Sequence, residues 1–411
     1  MISPSAPLEA VFRKLRGLDL ILLVFLWHAA LGIFFLALVQ QYLRQELGAS
    51  AAFPGYALAS YSLARFVWQT PAGWLADKLG RRVMLCAGIA IGLPALALMM
   101  ALPSKHLFLA FSGLYGLSAA TMWPALLAHV GDTHEPNRRG RALHFLNMAQ
   151  LLGLGLGTMI GVFLGDLVSY TSVFIACLSF NLLALFVSLR HQPAPACPVG
   201  KECGEEVQLS ALRSMLRPGV MILGAIILFL SLGIAVQTPA IGVYTDQVLR
   251  VQMHQAAYLL LLPGAAAVVV ALKCSHLADR FGRHLPLIVG LTVTALSLFA
   301  LTLTRSPFLA VNLAALAGLS YAVSVPAWCA AAIDATQVHC RGLLLGTLAT
   351  LQGLGGAAGQ AAGGKVSEMY GPLAPFHFAA ILLGVAVLLT VVHIRHQQLQ
   401  RRKLEAATIR F

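Results

Sequence analysis

Eleven stretches of this chain run for more than twenty residues without Asp, Glu, Lys or Arg: 20–43, 83–104, 106–131, 142–165, 167–189, 218–245, 251–272, 284–304, 306–333, 342–364 and 369–394. A twelfth, 52–76, is interrupted only by Arg65. A bilayer core of about 30 Å takes about 20 apolar residues per helix, so each run is long enough to span it. Continuous runs exclude a barrel, whose strands are about 10 residues long and alternate in polarity. With no water in hydrocarbon, each segment has to close its own backbone hydrogen bonds, which only a helix does. Twelve transmembrane helices in an all-α polytopic membrane protein are therefore expected. A water-soluble globule is excluded by 59% hydrophobic against 10% charged residues.

A net charge of +13 suits either nucleic acid or a membrane surface, and the placement of the charges decides. With the N-terminus inside, 22 Lys and Arg fall on the cytoplasmic side and 5 on the other, with Arg65 within the membrane. That bias predicts both termini in the cytoplasm. The basic charge then serves topology, and nucleic acid is not a partner. Cys197 and Cys203 share the 191–217 stretch with His191, but their spacing is not that of a zinc site, so no metal is expected. The first apolar run lacks a cleavage signature and is read as a retained helix.

Residues 191–217 form the one long polar connection, rich in Pro, Gly and acids, and read as a cytoplasmic linker. They separate an N-terminal segment (1–17) and six-helix bundle (18–190) from a second bundle (218–394) and a basic tail (395–411). A shift of 202 superimposes the two halves. It pairs Asp77 with Asp279, Gly80 with Gly282, Arg81 with Arg283, Gly116 with Gly318, Asp132 with Asp334, Gln150 with Gln352, Gly157 with Gly359 and Gly161 with Gly363. Six crossings per copy leave both copies in one orientation. The expected architecture is two parallel six-helix bundles related by a pseudo-two-fold axis along the membrane normal, a geometry suited to alternating access.

GWLADKLGRR at 73–82, echoed by SHLADRFGRH at 275–284, resembles the loop between helices 2 and 3 of the major facilitator superfamily of secondary transporters, at Gly73, Leu75, Asp77, Gly80, Arg81 and Arg82. The resemblance extends over residues 15 to 395. It implies that Asp77, Arg81 and Asp132, with Asp279, Gly282, Arg283 and Asp334 as the second set, form a conformational gate holding the outward-open state. The bland reading is that they anchor loops at the interface. Two features depart from the family's drug and proton antiporters. Thr158 and Gln360 stand where a helix-bending proline is common, and Ser112 stands where a helix-4 arginine is common.

Gly153, Gly157, Gly161 and Gly165 recur every four residues, and Gly355, Gly359 and Gly363 repeat the stripe; both offer a smooth ridge to a neighbouring helix. Arg65 lies twelve residues before Asp77, roughly 18 Å deep at 1.5 Å per residue. A permanently charged side chain there must face a cavity or a partner. It reads either as a fork for an anionic group of the substrate or as a structural arginine bonded to backbone carbonyls. Tyr61 and Gln69 share its face. His28, roughly 14 Å past Asp19, is the candidate carrier of a coupling proton, the rival reading being a hydrogen-bonded core histidine. Trp123, Asn147, Gln150, Gln237, Tyr321, Trp328 and Gln352 are further substrate-binding candidates, and Pro239 and Pro326 are expected kinks.

These features describe a transporter rather than an enzyme, since no H-E-x-x-H helix or clustered catalytic set is present. The expected partners are a small organic solute, amphiphilic or anionic, and the bilayer. The protein is expected to act as a monomer in the cytoplasmic (inner) membrane, with no cofactor and with a proton as coupling ion. Export is favoured by the likeness of the motif helices to efflux members. The rival readings are an uptake facilitator or symporter for an organic anion, and a membrane sensor on a transporter scaffold.

Overall fold

The computed structural model describes residues 6–133, 136–190, 218–252, 254–259, 263, 266, 269, 270, 284–334 and 341–408. Within these, side chains are described outside 6–17, 77, 131–133, 136–144, 325–334, 341–349, 397 and 399–408. The chain divides into two compact units, residues Met1–Gly200 and Lys201–Phe411. The described secondary structure is helical throughout. Among the described residues, eight segments are long and apolar enough to cross a membrane, the first being Leu18–Gln45.

In unit 1, α1 (Ala6–Gly32) runs on as a π-helix through Ile33–Tyr42 and a final turn at Leu43–Gln45. It is followed by α2 (Phe53–Leu79), α3 (Arg81–Ala101), α4 (Lys105–Thr133), α5 (Pro136–Leu167) and α6 (Tyr170–Arg190). In unit 2, α7 (Pro218–Gln237) tightens to a 3-10 turn at Thr238–Ala240 before Ile241–Tyr244 and a π-helical Thr245–Leu249. Pro239 has no N–H to donate, which accounts for that interruption. Helical residues 254–259 follow, then α8 (His284–Leu303), α9 (Pro307–Asp334), α10 (Arg341–Tyr370) and α11 (Ala374–Thr408). Helix α9 is continuous past Pro326. Helix α11 extends through most of the stretch expected as a tail, and α1 begins inside the expected N-terminal segment.

Gly80 alone separates α2 from α3, at φ +94° and ψ 147°. A Cβ there would meet nothing within 4 Å, so the demand for glycine is conformational rather than steric. Around Gly73 the nearest atom to an added Cβ is the Pro124 Cβ at 4.0 Å, an ordinary contact.

The glycine stripes seat one helix on another in both units. A Cβ on Gly153 or Gly157 would collide with the carbonyl oxygen of Phe25 or Ala29 on α1, and one on Gly161 would lie 3.0 Å from the Ile33 Cα. In unit 2 the stripe of α10 lies on α7, where Cβ atoms on Gly355 and Gly359 would stand 2.9 and 2.7 Å from the carbonyls of Leu228 and Leu232. Backbones approach this closely only where side chains are absent.

Those contacts also locate a difference between the repeats. Gly153 and Gly355 are 202 apart, whereas their partners Phe25 and Leu228 are 203 apart, as are Ala29 and Leu232. Farther along, Tyr42 packs on Phe174 at 5.1 Å and Tyr244 on Phe376 at 5.0 Å, both pairs being again 202 apart. Unit 1 thus carries one extra residue after Ile33 and before Tyr42. Its π-helix lies there, as expected for wider turns absorbing an insertion. In its last turn Gln41 Nε2 donates to Asp166 Oδ1 at 2.8 Å, and just past it the Tyr170 hydroxyl donates to Gln45 Oε1 at 2.6 Å.

Candidate functional site

The Tyr61 ring meets Phe35 at 5.2 Å, which places those residues of α2 and α1 at one level. From there α2 runs four residues to Arg65, roughly 6 Å, and α1 runs back seven to His28, roughly 10 Å. The two basic groups therefore differ in depth by roughly 4 Å. The charge of Arg65 acts on both His28 and Tyr61.

His28 is 2% exposed, and its Nδ1 lies 2.8 Å from the Val24 carbonyl. A carbonyl only accepts, so Nδ1 carries the hydrogen and Nε2 is left as the ring's acceptor. The ring stands edge-on to Trp123 of α4 at 5.7 Å and to Trp27 at 4.8 Å. Tyr61 is also 2% exposed, with the Arg65 guanidinium beside its hydroxyl, which meets no acceptor of good hydrogen-bond geometry among the described residues; the Trp27 indole Nε1 likewise meets none. Arg65 is half-buried and pairs with no carboxylate among the described side chains. The cluster is thus rich in donors: a guanidinium, a phenol and an indole N–H, with no acid among the described side chains to consume them.

Helix α4 holds this arrangement against α2. Gly116 lies so close to Tyr61 that an added Cβ would collide with its carbonyl oxygen. One turn past Arg65, the Trp68 indole donates to Thr121 Oγ1 at 3.1 Å. Trp27, Phe35, Trp68 and Thr121 belong to the cluster and are missed by sequence reasoning. The signal for Trp27 was its adjacency to His28.

The other expected substrate-binding residues are scattered. Gln69 and Gln150 are half-buried, while Asn147 and Gln352 are exposed. Gln237 and Tyr321 are brought together as lining of a cavity of ≈ 310 Å³ inside unit 2. The side chain of Trp328 lies outside the described residues, as do those of the gate residues Asp77, Asp132 and Asp334; Asp279, Gly282 and Arg283 lie wholly outside them. Arg81 of the gate set is half-buried at the start of α3 and Gly80 forms the turn before it.

The sequence profile of the Major Facilitator Superfamily matches residues 20–272 and 223–408, nearly the whole chain. The chain belongs to the major facilitator superfamily. As a member it is a transporter and not an enzyme, with twelve helices in the family's two six-helix bundles. It is 23% identical over 385 residues to the proton-coupled antiporter flippase LtaA of Staphylococcus saprophyticus, covering 89% of this chain and 93% of that one. LtaA of Staphylococcus aureus N315 is 22% identical over 374 residues, covering 88% and 91%. Among solved facilitator structures, a bacterial homologue of the human lysosomal transporter Spinster, inward-facing and unoccupied, matches with TM-score 0.70 and 15% identity over 93% of this chain and 95% of that one. The human organic anion transporter MFSD10 matches with TM-score 0.67 and 19% identity over 92% and 99%. These structures share its fold.

Proposed function

We propose that this facilitator moves an amphiphilic organic anion across the membrane by alternating access, with Arg65 receiving the anionic group and His28 carrying a coupling proton. The observation that carries the reading is the donor cluster about Arg65: a charge that cannot be lost, near the middle of a spanning helix, with no acid among the described side chains to neutralise it. A substrate carboxylate or phosphate would accept from the guanidinium in bidentate fashion, with Tyr61 as a further donor. The uncharged aromatic and amide side chains among the substrate-binding candidates, Trp123, Gln150, Gln237, Tyr321 and Gln352, support an amphiphile over a small inorganic anion.

Proton coupling is supported by the proton-coupled relatives at 22–23% identity and by His28, whose Nε2 is the acceptor that would take the proton. Antiport in those relatives also supports export of the solute in exchange for protons, even though Ser112 replaces the arginine common in antiporters. The 22-to-5 bias of basic residues supports a cytoplasmic location for both termini in an inner membrane. Asp77, Arg81 and Asp132 with their second-half counterparts complete the proposal as the gate, and a monomer suffices for this mechanism.

A thermal-shift screen of the purified protein against alkyl carboxylates, alkyl phosphates and uncharged amphiphiles, repeated with Arg65→Gln, tests the reading. Anionic amphiphiles should stabilise the wild type and lose most of that effect in the variant. Equal stabilisation of both proteins by the best ligand would make Arg65 structural and remove the anion from the proposal.

A further inference from the structure

The repeat provides a direct comparison of the two interiors. In unit 1, Phe34 packs against Tyr115 at 4.8 Å and Phe108 at 6.3 Å. All three rings are fully buried. Gly88 on Met122 and Gly290 on Ser324 fix the shift in this part of the units at 202. Phe108 and Tyr115 then correspond to Ala310 and Ala317. Ile33 and Val236, under Gly161 and Gly363, are the last pair fixed at a shift of 203, and carrying that shift one residue further sets Phe34 against Gln237. All three replacements line the ≈ 310 Å³ cavity of unit 2. The cavity is the space that three aromatic rings fill in the other half of the molecule.

Most of its polar groups are spent on the protein's own backbone. Tyr244 donates to the Leu301 carbonyl at 2.9 Å, Thr245 to Ile241 at 2.9 Å, Thr294 to Gly290 at 2.8 Å and Gln237 Nε2 to Ile234 at 3.3 Å, and Tyr321 is also engaged. A space walled by Leu, Ile and Ala, with the hydroxyls of Tyr244, Thr245 and Thr294 bonded to carbonyls, does not hold water well and accepts apolar occupants. Along α9 it extends from Ala310 to Tyr321, eleven residues or roughly 16 Å, about half of a bilayer's ~30 Å hydrocarbon. Its volume falls in the range of ligand pockets.

We propose that this cavity is a binding pocket for a single extended hydrocarbon chain, entering from the end of unit 2 remote from the linker, where Leu249, Leu301 and Phe376 line it. Two sources share that chemistry, the tail of the transported amphiphile and the acyl chain of a bilayer lipid. The first rests on the function proposed above and the second does not.

The test uses the full-length protein in phosphatidylcholine nanodiscs with two photoreactive probes: hexadecanoic acid bearing a diazirine near its methyl end, and phosphatidylcholine bearing the same chain. After irradiation, labelled peptides are mapped. The pocket predicts labelling within 241–249 and 310–321. A Cβ on Gly318 meets nothing within 4 Å, so Gly318→Leu fills the space and should reduce this labelling at least tenfold while leaving exposed Leu296 and Ile381 unchanged. Ala314→Leu enters the same space should the first variant fail to fold. Labelling by the fatty acid alone assigns the pocket to a single-chain amphiphile, and equal labelling by both probes assigns it to bilayer lipid. Labelling confined to exposed residues, or undiminished labelling in a folded filled variant, would overturn the pocket. Anion stabilisation at Arg65 is read in a separate measurement, so loss of one site does not imitate loss of the other.

Discussion

Arg65 is held by what surrounds it more than by any single bond. Its neighbours are a buried phenol and imidazole, and its charge has no acid among the described side chains to answer it. Arg65→Lys keeps the charge but loses the planar fork, so anion stabilisation in the thermal-shift assay should fall at least tenfold in affinity, on the order of 1 kcal/mol or more for a bidentate contact. At His28, the glutamine variant keeps a donor for the Val24 carbonyl but cannot take a proton. Solute flux in proteoliposomes should then respond to membrane potential but no longer to an imposed pH gradient; a retained pH response would place coupling elsewhere. Arg65 was legible in the sequence because one charge interrupts an apolar run, and periodicity alone placed Tyr61 one turn away. The tryptophans were not legible as neighbours of His28, because Trp123 comes from a helix nearly a hundred residues later and only the packing of α2 on α4 sets its depth.

Among the elements, the glycine ridges make the most direct demand on sequence. Gly157→Val would drive a branched side chain into the Ala29 carbonyl and force α5 away from α1. Overpacking of this kind costs about 1–3 kcal/mol, and the melting temperature should drop accordingly. On the same helix, an added Cβ at Gly155 meets nothing within 4 Å, so Gly155→Ala should leave melting unchanged. If both variants melted alike, close approach would not be the reason for the ridge. The stripes were readable from their period of four. Their partner helices were not, since a ridge in one sequence does not say which backbone will lie against it.

For the whole molecule, the duplication accounts for most of what could be read in advance: twelve spans, two copies, one orientation. The proposed gate belongs to this scale, because in that proposal Asp77 and its second-half counterpart act on the balance between global states. Asp77→Asn should shift cysteine labelling of the cytoplasmic vestibule toward the inward-open pattern by several-fold, as expected when a contact worth on the order of 1 kcal/mol is removed. Unchanged labelling would leave these charges as interface anchors. What the repeat concealed was its own imperfection. Matching glycines and acids at one constant shift carry no trace of Phe108 and Tyr115, whose alanine counterparts hollow out the second unit. The wide turns at Ile33–Tyr42 have a mechanical consequence of the same origin. Excising one residue there would bring the first rod into step with the seventh but swing Gln41 about a quarter-turn off Asp166. Two halves that differ by that single notch cannot be interchanged.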